Sequence, residues 1–336
     1  MTNIKKILLL LVVIGVVVSC DKAKKTSEKP TEQPKETWIE APRFSADSAY
    51  TFIQKQVDFG PRVPNTAAHK ACGDFMVNKL NGYGAKVIEQ EFEANTYNGT
   101  KFYLRNIIAS FNPERSKRIL LAAHWDTRPI ADKDTFDIDK PINGANDGGS
   151  GVGVLLEIAR IISQNPDMKV GIDMIFFDGE DNGMPSNYTG DVIAEYKDGS
   201  KSSWCLGSQY WSNNKHTPNY TAYYGILLDM VGAKGSKFYK EGLSIKYAPS
   251  IVNKVWGIAS KSGYGEFFVD KPRGQITDDH AFVNAWAKIP MIDIIEYTPG
   301  NGFGAYHHTH ADNMDIIDKK LLNAVGQTVL NVVYNE

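Results

Sequence analysis

Four apolar runs in this chain each lead into an acid, a histidine, or a loop that carries one. Ile119-Leu120-Leu121-Ala122-Ala123 runs into His124, and Ile175-Phe176-Phe177 runs through Asp178-Gly179 into Glu180-Asp181. Tyr224-Gly225-Ile226-Leu227-Leu228 runs into Asp229, and Met291-Ile292-Asp293-Ile294-Ile295 precedes the loop that holds His308. Short β-rich runs of this kind describe parallel strands, and the ionisable residues that follow them lie together at the carboxyl edge of the sheet. Few folds other than an open α/β sheet accommodate that pattern.

The segments between the runs agree. Ser45 to about Val57, with Ser45 or Asp47 as cap, and Thr66 to Leu80 are expected helices, followed by an alternating strand over Lys86–Phe92. Further strands are expected over 102–110, 117–124 and 170–177, with an apolar helix from Gly149 to about Ile162. Trp204–Trp211, Ser250–Ser262, His280–Trp286 and Asp318–Tyr334 complete the helices, and residues 182–203 form a loop too long to be a mere connector. The expected fold is α/β: a single doubly wound domain over 43–336, with a mixed, mostly parallel central sheet flanked by helices. An apolar fraction of 42% supplies its core. With 37 Lys and Arg against 39 Asp and Glu there is no basic face for nucleic acid, which is excluded as a partner class.

The amino terminus stands apart from this domain. Lys5-Lys6 precedes an apolar run from Ile7 to Val18 and then Ser19-Cys20. A basic region, a short apolar core and a small residue before cysteine describe a bacterial lipoprotein signal over 1–19. Cleavage would leave Cys20 lipidated, anchoring the chain to a membrane of the cell envelope and facing the periplasm. Residues 20–42, rich in Lys, Glu, Thr and Pro, read as a flexible tether. Cys72 and Cys205 remain, either as a pair or as two buried thiols.

The residues after the runs suit one chemistry. Zinc takes imidazole nitrogen and carboxylate oxygen, and a catalytic zinc site keeps one position open beyond three protein ligands. Asp147, Asp181 and His308 fill three positions with a net charge near zero, and Glu180, next to a ligand but not needed as one, is placed to move a proton. Each residue alone is a weak sign, since an acid in Gly144-Ala145-Asn146-Asp147-Gly148-Gly149 serves equally as a turn or helix-cap residue. Their convergence after four strands is the stronger sign.

His124-Trp125-Asp126, Asn146-Asp147, Phe177-Asp178-Gly179-Glu180-Asp181, Leu228-Asp229, Asp278-Asp279-His280 and His308-Thr309-His310-Ala311-Asp312-Asn313 occur in the order found in the zinc aminopeptidase superfamily. Within it the chain most resembles the animal-type glutaminyl cyclases, a type some Bacteroidetes also possess. The resemblance implies Asp147, Asp181 and His308 as ligands of one zinc per chain. It implies Glu180 as acid/base, with Asp229 and Asp278 as carboxylates beside it. His124 and Asp126 stand as ligands of a second metal or as supports behind the first. Asp278 discriminates, because di-zinc aminopeptidases usually carry a small residue there; its plain alternative is a helix N-cap before Ala281.

Ile276, Phe303, His307 and Trp204 are the substrate-pocket candidates. Two departures from the animal pattern are visible: His307 stands where tryptophan precedes the metal histidine, and Asp181 stands where glutamate is usual. The resemblance implies conversion of the N-terminal glutamine of peptides and proteins to pyroglutamate, with release of ammonia. A di-zinc aminopeptidase and a catalytically silent peptide-binding domain are the alternatives.

Overall fold

The computed structural model describes residues 38–336 apart from 198, 200, 299 and 301. The expected signal segment 1–19, Cys20 and most of the tether lie outside the described residues. Ile39–Glu336 forms one compact unit. Residues 39–42, expected in the tether, belong to this unit. The backbone N–H of Ile39 donates to Asn335 Oδ1 at 2.7 Å, Asn335 Nδ2 donates back to the Ile39 carbonyl at 2.9 Å, and Ala41 is buried.

The strands are β1 (Lys86–Asn95), β2 (Lys101–Phe111), β3 (Arg118–His124), β4 (Gly171–Phe177), β5 (Tyr224–Asp229), β6 (Phe238–Lys240), β7 (Phe268–Pro272) and β8 (Met291–Ile295). The helices are α1 (Ala46–Asp58), α2 (Ala67–Gly82), α3 (Gly149–Gln164), α4 (Ala194–Lys197), α5 (Leu206–Asn213), α6 (Gly242–Tyr247), α7 (Pro249–Lys261), α8 (Asp279–Phe282) and α9 (Lys319–Tyr334). Local chemistry sets several boundaries. Ser45 Oγ accepts from the Ser48 N–H at the start of α1, and Thr66 Oγ1 accepts from the His69 N–H at the start of α2.

Six strands form the central sheet in the order β1-β2-β4-β3-β5-β8. β3, β4, β5 and β8 are mutually parallel, whereas β1 pairs with β2, and β2 with β4, antiparallel. This is the expected mixed, mostly parallel sheet. Alternate residues of each strand enter separate cores, as the period of two requires. Ile119, Leu121 and Ala123 of β3 join α1, α2, α3, α7 and α9 on one face, while Leu120 and Ala122 pack with Trp211 and Val283 on the other.

Four of these elements lie outside the sequence expectation: α4, within the expected 182–203 loop, β6 and β7, which pair parallel with each other, and α6 between them. The helix expected over His280–Trp286 is instead the short α8 followed by a π turn, Val283–Ala287. Asn284 explains the break. Its Nδ2 donates to the carbonyls of His280 and Met291, and its Oδ1 accepts from the Met291 N–H, so the side chain stitches this segment to β8.

α3 approaches the ends of the parallel strands closely, and glycine permits it. A Cβ on Gly151 would lie 2.2 Å from the Leu228 carbonyl oxygen. Gly148 has φ +79°, and a Cβ there would meet the Asp126 carbonyl oxygen at 2.7 Å and the His124 ring at 3.0 Å. Asp147 is thereby held directly over the carboxyl ends of β3 and β5.

Candidate active site

The parallel strands deliver their ionisable residues to one edge. His124 ends β3, Asp229 ends β5, Glu180-Asp181 follow β4, and His308 comes from the loop after β8. These residues, with Asp147 and Asp278, are buried, except Glu180, which is partly buried.

Two donor clusters share Asp147. In one, donor atoms of Asp147, His307 and His308 all lie within 4.8 Å of one another, and Asp181 Oδ1 is 3.2 Å from His308 Nε2. In the other, His124 Nε2 is 3.1 Å from both Asp147 Oδ1 and Asp229 Oδ1. The second oxygen of Asp181 is buried with no hydrogen-bond partner among the described residues. Carboxylate and imidazole donors converging around such an oxygen fit a zinc ion. His307, expected only as a pocket residue, also brings a ring nitrogen to within 3.8 Å of Asp147 Oδ2.

Further groups aim these donors. Asp126 is not in either cluster; its carboxylate accepts from the N–H groups of Glu180 (3.0 Å) and Asp181 (3.1 Å) and from Asn182 Nδ2 (2.9 Å). It therefore shapes the turn that presents the Glu-Asp pair. Asp312 does the same for the other wall, accepting from the N–H groups of Asn146 (2.7 Å) and Asp147 (3.0 Å). His308 Nδ1 lies 3.2 Å from Asp132 Oδ1, which leaves Nε2 toward Asp147 and Asp181. Arg128 binds Asp132 and reaches Asp181 Oδ1 at 3.5 Å.

Beside the clusters stands a group of acids. Oxygens of Glu180 and Asp278 and the Cys205 sulfur lie within 4.8 Å of one another. Burial pushes the Glu180 carboxyl well above its ordinary range against the pull of His124, and Asp278 and Asp181 push it further. Burial likewise raises Asp278, and takes Asp229 up to about 7, where Asp147 and Asp278 reinforce it. Asp147 differs. Burial works against its charge, but the bonded His124 and the nearby His307 and His308 hold it below the usual carboxylate range. Asp278 also caps α8, accepting from the Asp279 N–H, so the plain cap reading and the acid-cluster reading describe the same carboxylate.

The acids open into a cavity of about 430 Å³. Its walls include Trp204, Met230, Ile276, Ile295, Phe303 and His307, so every pocket residue expected from the sequence lines it. Trp204 stacks on His308 with centroids 5.8 Å apart and carries the Arg128 guanidinium on its ring at 4.7 Å. Trp204 thus lines the loop side of the pocket. A small apolar chamber with convergent carboxylates at its floor suits a short side chain.

Residues 106–333 match peptidase family M28. The chain belongs to this family. A crystal structure of a Bacteroides thetaiotaomicron glutaminyl cyclase bound to N-acetylhistamine is 54% identical, with 88% of this chain and 99% of that one covered and a TM-score of 0.83. A structure from the same organism described as a leucine aminopeptidase precursor is also 54% identical, covering 89% and 99% of the two chains, with a TM-score of 0.83. The glutaminyl-peptide cyclotransferase of Drosophila melanogaster is 22% identical over 323 residues, 88% of this chain and 82% of that protein. The M28 relatives thus bear out the superfamily resemblance, the fold and the use of zinc.

Sequence reasoning missed several participants in this M28 site. Asp132, Lys133 and Arg128 come from a loop with no helical or strand pattern, and nothing in their spacing marks them. Asp293 sits within an apolar run and read as part of a strand; it is buried beside Asp278, with an oxygen 3.7 Å from His280 Nδ1. Cys72 and Cys205 are both free and buried, which settles the pairing left open by the sequence.

Proposed function

We infer that this chain is a zinc-dependent glutaminyl-peptide cyclotransferase: it converts the N-terminal glutamine of peptides and proteins to pyroglutamate and releases ammonia. The observation that carries the reading is the placement of Asp278 against Glu180 in a cavity walled by Trp204, Ile276 and Phe303. An aminopeptidase activates a water at the metal and needs room for the chain only beyond the carboxyl side of the scissile bond. A cyclase needs a chamber for one side chain and a way to carry a proton between two nitrogens of the same residue.

Asp147, Asp181 and His308 would hold one zinc per chain. Bound there, zinc polarises a carbonyl oxygen and offsets charge that develops on it. The substrate supplies its own nucleophile. Its α-amine attacks the γ-carbonyl carbon, a carbon–nitrogen bond forms, the bond to the γ-amide nitrogen breaks, and ammonia leaves. Glu180 takes the proton from the α-amine and hands it to the departing nitrogen. Asp278 and Asp229 keep Glu180 in register by sharing protons with it. Trp204, Ile276 and Phe303 hold the side chain curled, and intramolecular attack is worth on the order of 7–11 kcal/mol against a bimolecular reference. His124 and Asp229 are reserved for this acid network, not for a second ion.

Cleavage before Cys20 and lipidation of its thiol would tether the domain in the cell envelope, facing the periplasm, where peptides with N-terminal glutamine are its substrates. The Ile7–Val18 run followed by Ser19-Cys20 supports this.

Chelating the metal should abolish pyroglutamate formation from a glutaminyl peptide, and one equivalent of zinc should restore it. Restoration that needs two equivalents, accompanied by cleavage of the peptide, would move the assignment to a di-zinc aminopeptidase.

A further inference from the structure

We propose that Cys205 is a positioning residue for Glu180, its thiol fixing the carboxylate through a donated hydrogen bond. The inference rests on the assignment of Glu180 as the proton carrier. Cys205 Sγ lies 3.1 Å from Glu180 Oε1. The same residue also holds the Glu180 backbone, since its N–H donates to the Glu180 carbonyl at 3.0 Å and the next N–H, of Leu206, donates to the Gly179 carbonyl at 3.1 Å. Main chain and side chain of one residue therefore clamp both ends of Glu180.

The backbone at this position makes the choice of residue informative. Cys205 precedes α5 with φ 58° and ψ 38°, left-handed geometry that glycine adopts with less strain. Its side chain makes no capping bond to the helix it precedes. A side chain kept at a position suited to glycine, and not used as a cap, is free for another task, and among the described residues its hydrogen-bond partner is the Glu180 carboxylate.

The chemistry of the thiol fits that task. A thiol gives one weak donor, and a carboxylate oxygen within reach is its natural acceptor. Cys205 is fully buried, and burial together with Glu180, Asp279 and Asp278 keeps its proton on sulfur. It is a donor, not a nucleophile. Without it, the Glu180 carboxylate would have no donor on this side and would be free to turn toward Asp278.

The test is made on the full chain. Cys205→Ala should lower kcat for glutaminyl-peptide cyclisation roughly three- to tenfold, the scale of one lost hydrogen bond, with KM and zinc content unchanged. Cys205→Ser, which keeps a donor of similar shape, should recover most of that loss. Equal losses in the alanine and serine variants, or wild-type kcat in the alanine variant, would overturn the proposal. Infrared spectroscopy gives a readout independent of turnover and of the alanine variant's folding. The Cys205 S–H stretching band, identified by its absence in Cys205→Ser, should shift to higher frequency in Glu180→Ala. A band that stays in place there refutes the contact even if the wild-type chain releases no ammonia, an outcome that would sink the cyclase assignment separately.

Discussion

Lys133 Nζ donates to His307 Nδ1 at 2.6 Å, across 174 residues of sequence. The bond fixes a neutral imidazole with its proton on Nε2, the nitrogen that faces Asp147. Burial, then the neighbouring His308 and Lys133, push the His307 pKa down to about 2. Where animal cyclases present an indole, this chain presents an imidazole that cannot charge at working pH. Nitrogen-15 NMR of the side chain should show this one tautomer from about pH 8 to about pH 5. Lys133→Met removes both the donor and a repelling charge, so the pKa should rise and the tautomers mix. A His307 that is already protonated near pH 6 in the wild type would contradict this arrangement.

Removing the charge of Glu180 should separate chemistry from binding. Glu180→Gln keeps the shape but cannot carry a proton, so kcat should fall by roughly 10²–10⁴-fold. Zinc content, measured by metal analysis, should not change. His308→Ala, by contrast, should lose zinc and activity together.

Asp278 serves two ends, and two substitutions distinguish them. Asparagine caps a helix as well as aspartate does, so Asp278→Asn should leave the melting temperature near wild type while crippling cyclisation. Asp278→Ala should show the same loss of turnover and lose about 0.5–2 kcal/mol of stability besides. If Asp278→Asn cyclises normally, the carboxylate is a cap only.

Asp126 is buried and accepts three hydrogen bonds from residues 180–182. Asp126→Ala would leave those buried donors unpaired, at about 1–3 kcal/mol for each such group. Denaturant unfolding should register a loss above about 2 kcal/mol, and zinc affinity should fall because the Glu180-Asp181 turn is no longer held. A stability change within about 0.5 kcal/mol would show that water replaces the carboxylate.

The strands that carry the site were legible because each is a long apolar run closed by an ionisable residue. β6 has only three residues and β7 ends in Pro272, so neither offers a periodicity to read. The π turn at 283–287 was hidden for another reason. Its sequence suits a helix, and only the bonds of Asn284 to β8 divert it. In the site, Asp147, Asp181, Glu180, Asp229, Asp278 and His308 could be named because their residue types and order match a known constellation. Asp132, Lys133 and Cys205 act through partners that only folding brings near, and a thiol or a lone lysine in a loop gives no local sign of such a partner. Asp126, read as a second-metal ligand or a support, holds the turn at residues 180–182 and also lies 3.6 Å from His124 Nδ1.

Two reactions separate the readings most directly: release of ammonia from a peptide with N-terminal glutamine, and hydrolysis of a leucyl anilide, measured side by side on the zinc-loaded chain. Ammonia with pyroglutamate, and no anilide cleavage, is the predicted result. Anilide cleavage without ammonia would contradict the account and make the chain an aminopeptidase.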